Sequence, residues 1–190
     1  MTQQSPTTLV VVESAFGNTR RIADAIAAGI GTRTAVIDID EAPSTVPAGI
    51  DLLVIGGPTH ALGMSRPQSR QDAQGQGGAA SSRGIREWIA ELTPQPGCRV
   101  VTFDTKSGSL RRLAGSAANR AARKLRGNGF ALAARPMSFY VADLKGPLLD
   151  GEIERATAWG RDLAAKVGVP PDTPAADAPA PNPSATRSDR

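Results

Sequence analysis

The fold is decided by one stretch near the start of the chain, Leu9-Val10-Val11-Val12-Glu13-Ser14-Ala15-Phe16-Gly17-Asn18-Thr19. Its first four residues are apolar, as in a strand that is buried on both faces. A turn rich in hydroxyl, glycine and asparagine residues follows, and residues 20–30 then repeat isoleucine at helical spacing, at Ile22, Ile26 and Ile30. The stretch therefore predicts a strand over residues 8–13, a tight turn, and a helix over residues 18–30.

The turn at residues 14–19 is a candidate phosphate-binding loop. The first N–H groups of the following helix have no backbone partner and lie at the positive end of its dipole. Ser14 and Thr19 add hydroxyl donors, so that a phosphate is held without a cationic side chain. The alternative interpretation of these residues is an ordinary strand–turn–helix in which Ser14 and Thr19 cap the helix.

The pattern Ser-x-x-Gly-x-Thr after a first strand resembles the FMN-phosphate loop of the flavodoxin family. The turn has neither the Gly-x-Gly-x-x-Gly of a dinucleotide site nor the Gly-Lys-Ser/Thr ending of an ATP or GTP loop. One position departs from the family, which usually has an aromatic residue where this chain has Val12. The resemblance spans residues 7–167, and it implies that the FMN phosphate is bound by Ser14, Ala15, Phe16, Gly17, Asn18 and Thr19.

Apolar strands alternate with helical segments along the rest of the chain. We expect further strands over residues 34–39, 51–55 and 98–103, and a fifth within 130–141 that Pro136 interrupts. Helices are expected over 85–92, 116–126 and 152–167, the last capped by Asp150; residues 40–49 are too short and too rich in proline for a helix. This alternation predicts an α/β fold with a doubly wound, five-stranded parallel sheet, helices on both faces, and the flavodoxin-like order 2-1-3-4-5.

The chain is expected to form one flavodoxin-like domain, residues 1–167, followed by a disordered Pro/Ala-rich tail, residues 168–190. Residues 65–84 are read as a long irregular stretch beside the candidate site, which is either a lid or partner contact or a disordered loop.

The loops after the third and fourth strands would hold the flavin ring if the phosphate lies after the first. Residues 56–65 resemble the ring-flanking loop of flavodoxins and also the Pro-Thr-x-x-Gly-x-Met loop of flavodoxin-like NAD(P)H:quinone oxidoreductases. The resemblance implies cofactor contacts at Pro58, Thr59, His60, Ala61, Leu62 and Gly63, and at Phe103, Asp104, Thr105 and Lys106. These loops contain no Trp or Tyr to stack on the ring, so His60, Leu62 or Met64 would have to cover it; for His60, the only histidine, a packing or capping role is the alternative.

Three functions remain open at this stage. The favoured one is an FMN-binding, flavodoxin-like electron-transfer protein, because no separate nicotinamide-binding domain is visible. The second is an FMN-dependent NAD(P)H:quinone oxidoreductase, and the third is a flavodoxin-like interaction module that has lost FMN, since the stacking aromatics are missing.

Composition and charge limit the compartment and the partners. The chain carries a formal charge of +4, one cysteine (Cys98) and 4% aromatic residues, and it has no apolar run of membrane-spanning length. We therefore expect a cytoplasmic protein. We expect it to have no signal peptide, no transition-metal site, and neither nucleic-acid nor membrane partners. The basic net charge and Lys106, where flavodoxins commonly carry acidic residues, favour a redox partner protein with an acidic docking face. The basic stretch around residues 111–126 is interpreted as a solvated helix face, with a nucleic-acid contact as the alternative. The domain is expected to be a monomer or a homodimer.

Overall fold

The computed structural model describes residues 7–60, 63–110 and 115–168. The strands are β1 (Thr8–Val12), β2 (Thr34–Asp38), β3 (Leu52–Pro58), β4 (Arg99–Ser107), β5 (Ala131–Leu132) and β6 (Met137–Val141). The α-helices are α1 (Asn18–Ile30), α2 (Pro67–Gly75), α3 (Ile85–Glu91), α4 (Ala117–Gly127) and α5 (Glu152–Val167), and short 3₁₀ helices span Ile39–Glu41 and Gly108–Leu110. No helix in this part of the chain is long and apolar enough to span a membrane.

The strands form one parallel sheet in the order β2-β1-β3-β4-β5, and β6 also pairs with β4. Strand β5 pairs with the first two residues of β4, whereas β6 pairs with its last five, Phe103–Ser107. Strands β5 and β6 therefore share the fifth position of the sheet, with a break that includes Pro136. The predicted fold class, strand order and interrupted fifth strand are confirmed.

Apolar side chains fill a layer on each face of the sheet. On one face, Val11, Leu53 and Val100 pack with the buried residues of α3 and α4, Trp88 among them. On the other face, Val10, Leu52 and Val101 pack with α1 and α5, including Trp159. Alternate residues of each strand thus serve opposite layers, as the uninterrupted apolar strands predicted.

Helices α1 and α5 approach each other through two glycines. A Cβ atom at Gly29 would lie 2.1 Å from the Thr157 carbonyl oxygen, and one at Gly160 would lie 2.2 Å from the Ile26 carbonyl oxygen. Both helices therefore need a residue without a side chain at the crossing. This contact fixes the tilt of α1 and, with it, the position of the turn at residues 14–19.

A buried polar cluster attaches the segment after β3 to the end of β1. The Glu13 carboxylate accepts a hydrogen bond from the Ile85 N–H (2.9 Å). The Arg70 guanidinium donates to the Ser65 hydroxyl (3.3 Å) and pairs with Glu87 (3.2 Å). Burial raises the pKa of Glu13 above its ordinary value of 4.5. Hydrogen bonds from Ser65 and Ile85 and the charge of Arg70 lower this pKa, but their effect is smaller than that of burial.

Two local predictions are wrong, and a third falls outside the described residues. Residues 65–84 contain α2, which has no apolar stripe because Ala73 is its one buried residue; Pro67 and the Ser69 hydroxyl start it instead. Helix α5 is capped by Gly151 at φ +79°, and not by Asp150. Of the predicted tail, only Gly168, which caps α5, is described.

The glycine crossing predicts a position-specific cost. Gly160→Ala should lower the free energy of unfolding by roughly 1–3 kcal/mol, because its methyl group collides with a backbone carbonyl that cannot rotate away. Gly127→Ala in α4 is the control, since a Cβ there meets nothing within 4 Å, and it should be neutral or stabilising by up to about 1 kcal/mol. Urea unfolding measures both; equal effects of the two substitutions would contradict the close crossing.

The raised pKa of Glu13 predicts a pH dependence. Between the unfolded and the folded pKa the native state binds more protons, so this group's contribution to stability is greatest below about pH 4.5 and falls as the pH rises through the folded pKa. Glu13→Gln keeps an oxygen for the Ile85 N–H and removes the ionisation. The melting temperature of Glu13→Gln relative to that of the wild type should therefore rise as the pH is raised from the acidic range to neutrality. Glu91→Gln, at an exposed site on α3, should follow the wild type, and a Glu13→Gln curve parallel to both would show that Glu13 is not perturbed.

Candidate functional site

A cleft of about 340 Å³ opens at the carboxyl edge of the sheet, where the loops after β1 and β3 diverge. Its walls come from the last residues of β3, β4 and β6 and from the segments that follow β1, β3, β4 and β6. The residues that line it are Ala15, Phe16, Asn18, Thr19, Pro58, Thr59, His60, Thr105, Lys106, Ser107, Ser109, Val141, Asp143 and Leu144. The cleft thus brings together nine of the sixteen residues that the sequence singled out.

The turn at residues 14–19 presents unpaired backbone donors to one end of the cleft. Gly17 has φ +81°, a left-handed conformation that turns the chain into α1. The Ser14 hydroxyl accepts a hydrogen bond from the Arg20 N–H (3.2 Å), whereas the N–H groups of residues 15–19 donate to none of the residues that the structure describes. The arrangement combines a concave set of amides with the positive end of a helix dipole, which is suited to an anion.

Two side chains of the turn are held by other loops. The Thr19 and Thr105 hydroxyl oxygens lie 2.7 Å apart, which joins α1 to the end of β4. The Asn18 side-chain amide donates to the Lys145 carbonyl oxygen (2.9 Å), and the Lys145 ammonium donates to the Gln76 carbonyl oxygen (2.8 Å) after α2. Residues 145–146 therefore bridge the turn and the end of α2.

Asp104 is buried beneath the end of the cleft that lies opposite the turn at residues 14–19. It is 0% exposed, and its Oδ2 accepts hydrogen bonds from the Thr59 hydroxyl (2.8 Å), the Ser116 hydroxyl (2.5 Å) and the Ala118 N–H (3.0 Å). The carboxylate lies at the start of α4, where the helix dipole favours a negative charge. Asp104 thereby fixes the position of Thr59 relative to α4, but it does not line the cleft.

Phe103 also lies away from the cleft. Its ring fills the space that a Cβ at Gly56 would need, and it packs edge-on against Phe139 at 6.1 Å between ring centroids. The side chains of Phe103 and Asp104 are both buried, and neither residue lines the cleft. The sequence predicts that β4 ends at Phe103 and that a loop follows it, whereas the strand continues to Ser107.

Lys106 is a buried cation on the cleft wall. It is 8% exposed, and its ammonium lies 5.8 Å from the centre of the Tyr140 ring. Within the described residues it forms no ion pair, and Asp104 is occupied by Thr59, Ser116 and Ala118. Asp143 also lines the cleft but is exposed, so solvent screens its charge more strongly than that of Lys106.

His60 lies on the cleft rim. Its N–H donates to the Gly63 carbonyl oxygen, and the Gly63 N–H donates back to the His60 carbonyl oxygen, both at 2.9 Å. Burial lowers the pKa of His60, so the half-buried imidazole is neutral at pH 7. Gly63 does not line the cleft, because it packs under the Arg120 side chain. Ala61 and Leu62 lie outside the described residues.

The apolar cover of the cleft differs from the one expected. Met64 is buried in the core, which excludes it as a cover. Leu144 lines the cleft instead and is 48% exposed, and Phe16 lies on the same cleft. Sequence reasoning missed Leu144; the available signal was a large apolar residue in an otherwise polar loop after an edge strand.

Comparison with solved structures identifies the fold. Flavodoxin 1 of Bacillus cereus is 18% identical, with a TM-score of 0.60 over 83% of this chain and 97% of its own. Flavodoxin 2 of the same organism is 16% identical, with a TM-score of 0.61 over 84% and 99%, and an archaeal flavodoxin is 20% identical, with 0.57 over 85% and 98%. No protein-family model and no curated protein matches the chain. At these identities the likeness shows the architecture: the domain has the flavodoxin-like fold.

Proposed function

We propose that this domain binds FMN in the cleft and acts as a flavodoxin-like electron-transfer protein. The observation that carries the proposal is the set of unpaired N–H groups at residues 15–19, at one end of a cleft whose other end is formed by the ends of β3 and β4 and the residues that follow them. The position agrees with the general rule that ligands of open α/β sheets bind where the strand order reverses. The volume lies within the range of about 300–1,000 Å³ that is typical of small-molecule sites.

The phosphate of FMN would occupy the turn at residues 14–19. The free amides and the Thr19 hydroxyl supply donors, and the α1 dipole supplies a favourable field without a cationic side chain. Thr105 holds the Thr19 side chain in place across the cleft, so the donors are oriented before a ligand arrives.

The flavin ring would lie toward Pro58, Thr59, Thr105 and Lys106. When bound, the flavin supplies the redox chemistry, and the protein supplies orientation and electrostatics. Phe16 and Leu144 provide the apolar surface that excludes water, in place of the stacking Trp or Tyr that the sequence lacks. Lys106 places a weakly screened positive charge beside the site, which stabilises negative charge on a bound ring.

The experiment that tests the proposal is spectroscopic. Purified protein should be yellow, or should become so after incubation with FMN, and should release FMN rather than FAD on denaturation. A protein that shows no flavin absorption after incubation with FMN would contradict the proposal that the cleft binds it. Anaerobic addition of NADPH then distinguishes an electron carrier, which stays oxidised, from an NAD(P)H:quinone oxidoreductase, which bleaches.

The phosphate loop generates a mutational prediction. Thr19→Ala and Ser14→Ala should each weaken FMN binding by about 1–3 kcal/mol, because each removes a hydroxyl that donates to the phosphate or orders the loop around it. Riboflavin, which lacks the phosphate, should bind much more weakly than FMN and should be almost insensitive to Thr19→Ala. Quenching of flavin fluorescence measures all four affinities.

Thr157→Ala is the matched control, because the Thr157 hydroxyl bonds to the Ile153 carbonyl oxygen of its own helix. It should leave both affinities unchanged. Equal affinity of the wild type for FMN and riboflavin would refute the assignment of the turn to the phosphate.

Lys106 generates a prediction about redox potential. Lys106→Gln should make the midpoint potential for full reduction of bound FMN more negative by tens of millivolts, since it removes a charge that favours the reduced anion. The measurement is a potentiometric titration of the loaded protein. Lys166→Gln makes the same exchange in the last turn of α5, beside the start of β4 and far from the cleft. A Lys106→Gln potential equal to that of Lys166→Gln would show that Lys106 does not act on the flavin.

A further inference from the structure

The charges of the chain are strongly segregated. Residues 105–142 contain eight Lys or Arg residues and no Asp or Glu, although the formal charge of the whole chain is only +4. The remainder of the chain therefore carries 14 cations against 18 carboxylates. Such an imbalance produces a local positive field that the net charge does not reveal.

Helix α4 presents much of this charge on one face. Asn119, Arg120, Arg123 and Arg126, here called the arginine face, line a shallow depression of about 480 Å³. All four side chains are exposed, and none of the three guanidinium groups forms an ion pair or a hydrogen bond with a residue in the described ranges. Arg20, Arg70 and Arg155, by contrast, each pair with a carboxylate.

Helix stability does not account for the arginine face. Cations are favourable near the C-terminus of a helix, which explains Lys124 and Arg126 in the last turn of α4. Arg120 lies in the first turn, at the opposite end, where the dipole does not favour a cation; the Asp104 carboxylate lies at this end of the helix but forms no ion pair with Arg120. The helix dipole therefore gives no reason for a cation at Arg120.

The arginine face is continuous with the cleft. The Arg120 side chain packs over Gly63, and Gly63 is hydrogen-bonded to His60 on the cleft rim. A second depression connects the two, lined by His60, Gly63, Arg66, Arg86 and Arg120. A molecule seated on α4 would thus contact the rim of the proposed flavin site.

We infer that the arginine face is the docking surface for an acidic patch on a partner protein, and that this partner exchanges electrons with the cleft. Charge complementarity supplies attraction and orientation, as is usual for small, short-lived redox complexes. Partner binding is inferred from the charges alone, whereas the electron exchange rests on the proposed function.

A protein partner is favoured over a nucleic acid by the surroundings of the face. Single-stranded nucleic acids are bound by aromatic side chains that stack on bases, and Leu144 is the one large apolar side chain exposed in the described ranges. Leu144 lies on the cleft, where it offers an apolar contact to a protein that approaches the bound ring.

The test compares two labelled polyanions of equal charge, an oligoglutamate peptide and an oligothymidylate, by fluorescence anisotropy at low and at physiological ionic strength. The peptide should bind, and salt should weaken it. The double variant Arg120→Glu/Arg123→Glu should weaken peptide binding about tenfold or more. The control Arg21→Glu/Arg161→Glu makes the same charge change at two exposed sites on α1 and α5 and should have less than about a twofold effect.

Two outcomes would overturn the inference. Equal weakening by both double variants would mean that only net charge matters, and much tighter binding of the oligothymidylate would identify a nucleic acid as the occupant. If Arg120→Glu prevents folding through its contact with Gly63, Arg123→Glu/Arg126→Glu replaces it, because the atoms nearest to Gly63 belong to Arg120 and to neither of these two residues.

A separate measurement connects docking with the cleft. Chemically reduced, FMN-loaded protein should be oxidised faster by anionic ferricyanide than by a cationic cobalt complex at low ionic strength, and Arg120→Glu/Arg123→Glu should reduce that difference. Protein that binds the peptide but no FMN would overturn the proposed function and leave the docking surface standing. If the protein is yellow but binds no peptide, or if Arg120→Glu/Arg123→Glu leaves the two oxidation rates unchanged, the docking surface alone is overturned.

Discussion

The cleft depends on the parallel pairing of β1 with β2 on one side and β3 on the other. Because α1 returns the chain to β2 and packs on one face, while α3 packs on the other face after β3, the loops after β1 and β3 must diverge. The gap between them lies at the carboxyl edge, where the first turn of α1 directs its N–H groups. The site is therefore a consequence of strand order before any side chain is considered.

Side chains then convert this gap into a defined shape. Thr19 and Thr105 join α1 to β4, Asp104 joins the loop after β3 to α4, and Asn18 joins the turn to the loop before α5. These contacts connect residues far apart in sequence, so the walls form only after the sheet is assembled. An arrangement ordered in this way loses little entropy on binding a ligand.

Sequence reasoning was most reliable where structure is local. The strand, turn and helix at residues 8–30 follow from apolar spacing, and the structure places them within one residue of the prediction. It failed where distant partners decide the outcome: Asp104, Thr105, Lys106 and Ser107 have the polarity of a loop, yet they continue β4 because β6 pairs with them. Helix α2 was missed for a related reason, since it is held by Arg70 and Pro67 rather than by an apolar stripe.

The break at the fifth strand position has a consequence for the protein's behaviour in concentrated solution. Strand β5 contributes only two residues, and Pro136, which has no N–H group, precedes β6. The outward-facing backbone groups of β6 are also bonded within the chain: the Tyr140 N–H donates to the Glu152 carboxylate, and the Tyr140 carbonyl oxygen accepts from the Leu149 N–H. This edge is therefore a poor template for a strand of another chain, which disfavours edge-to-edge pairing on the β5/β6 side of the sheet.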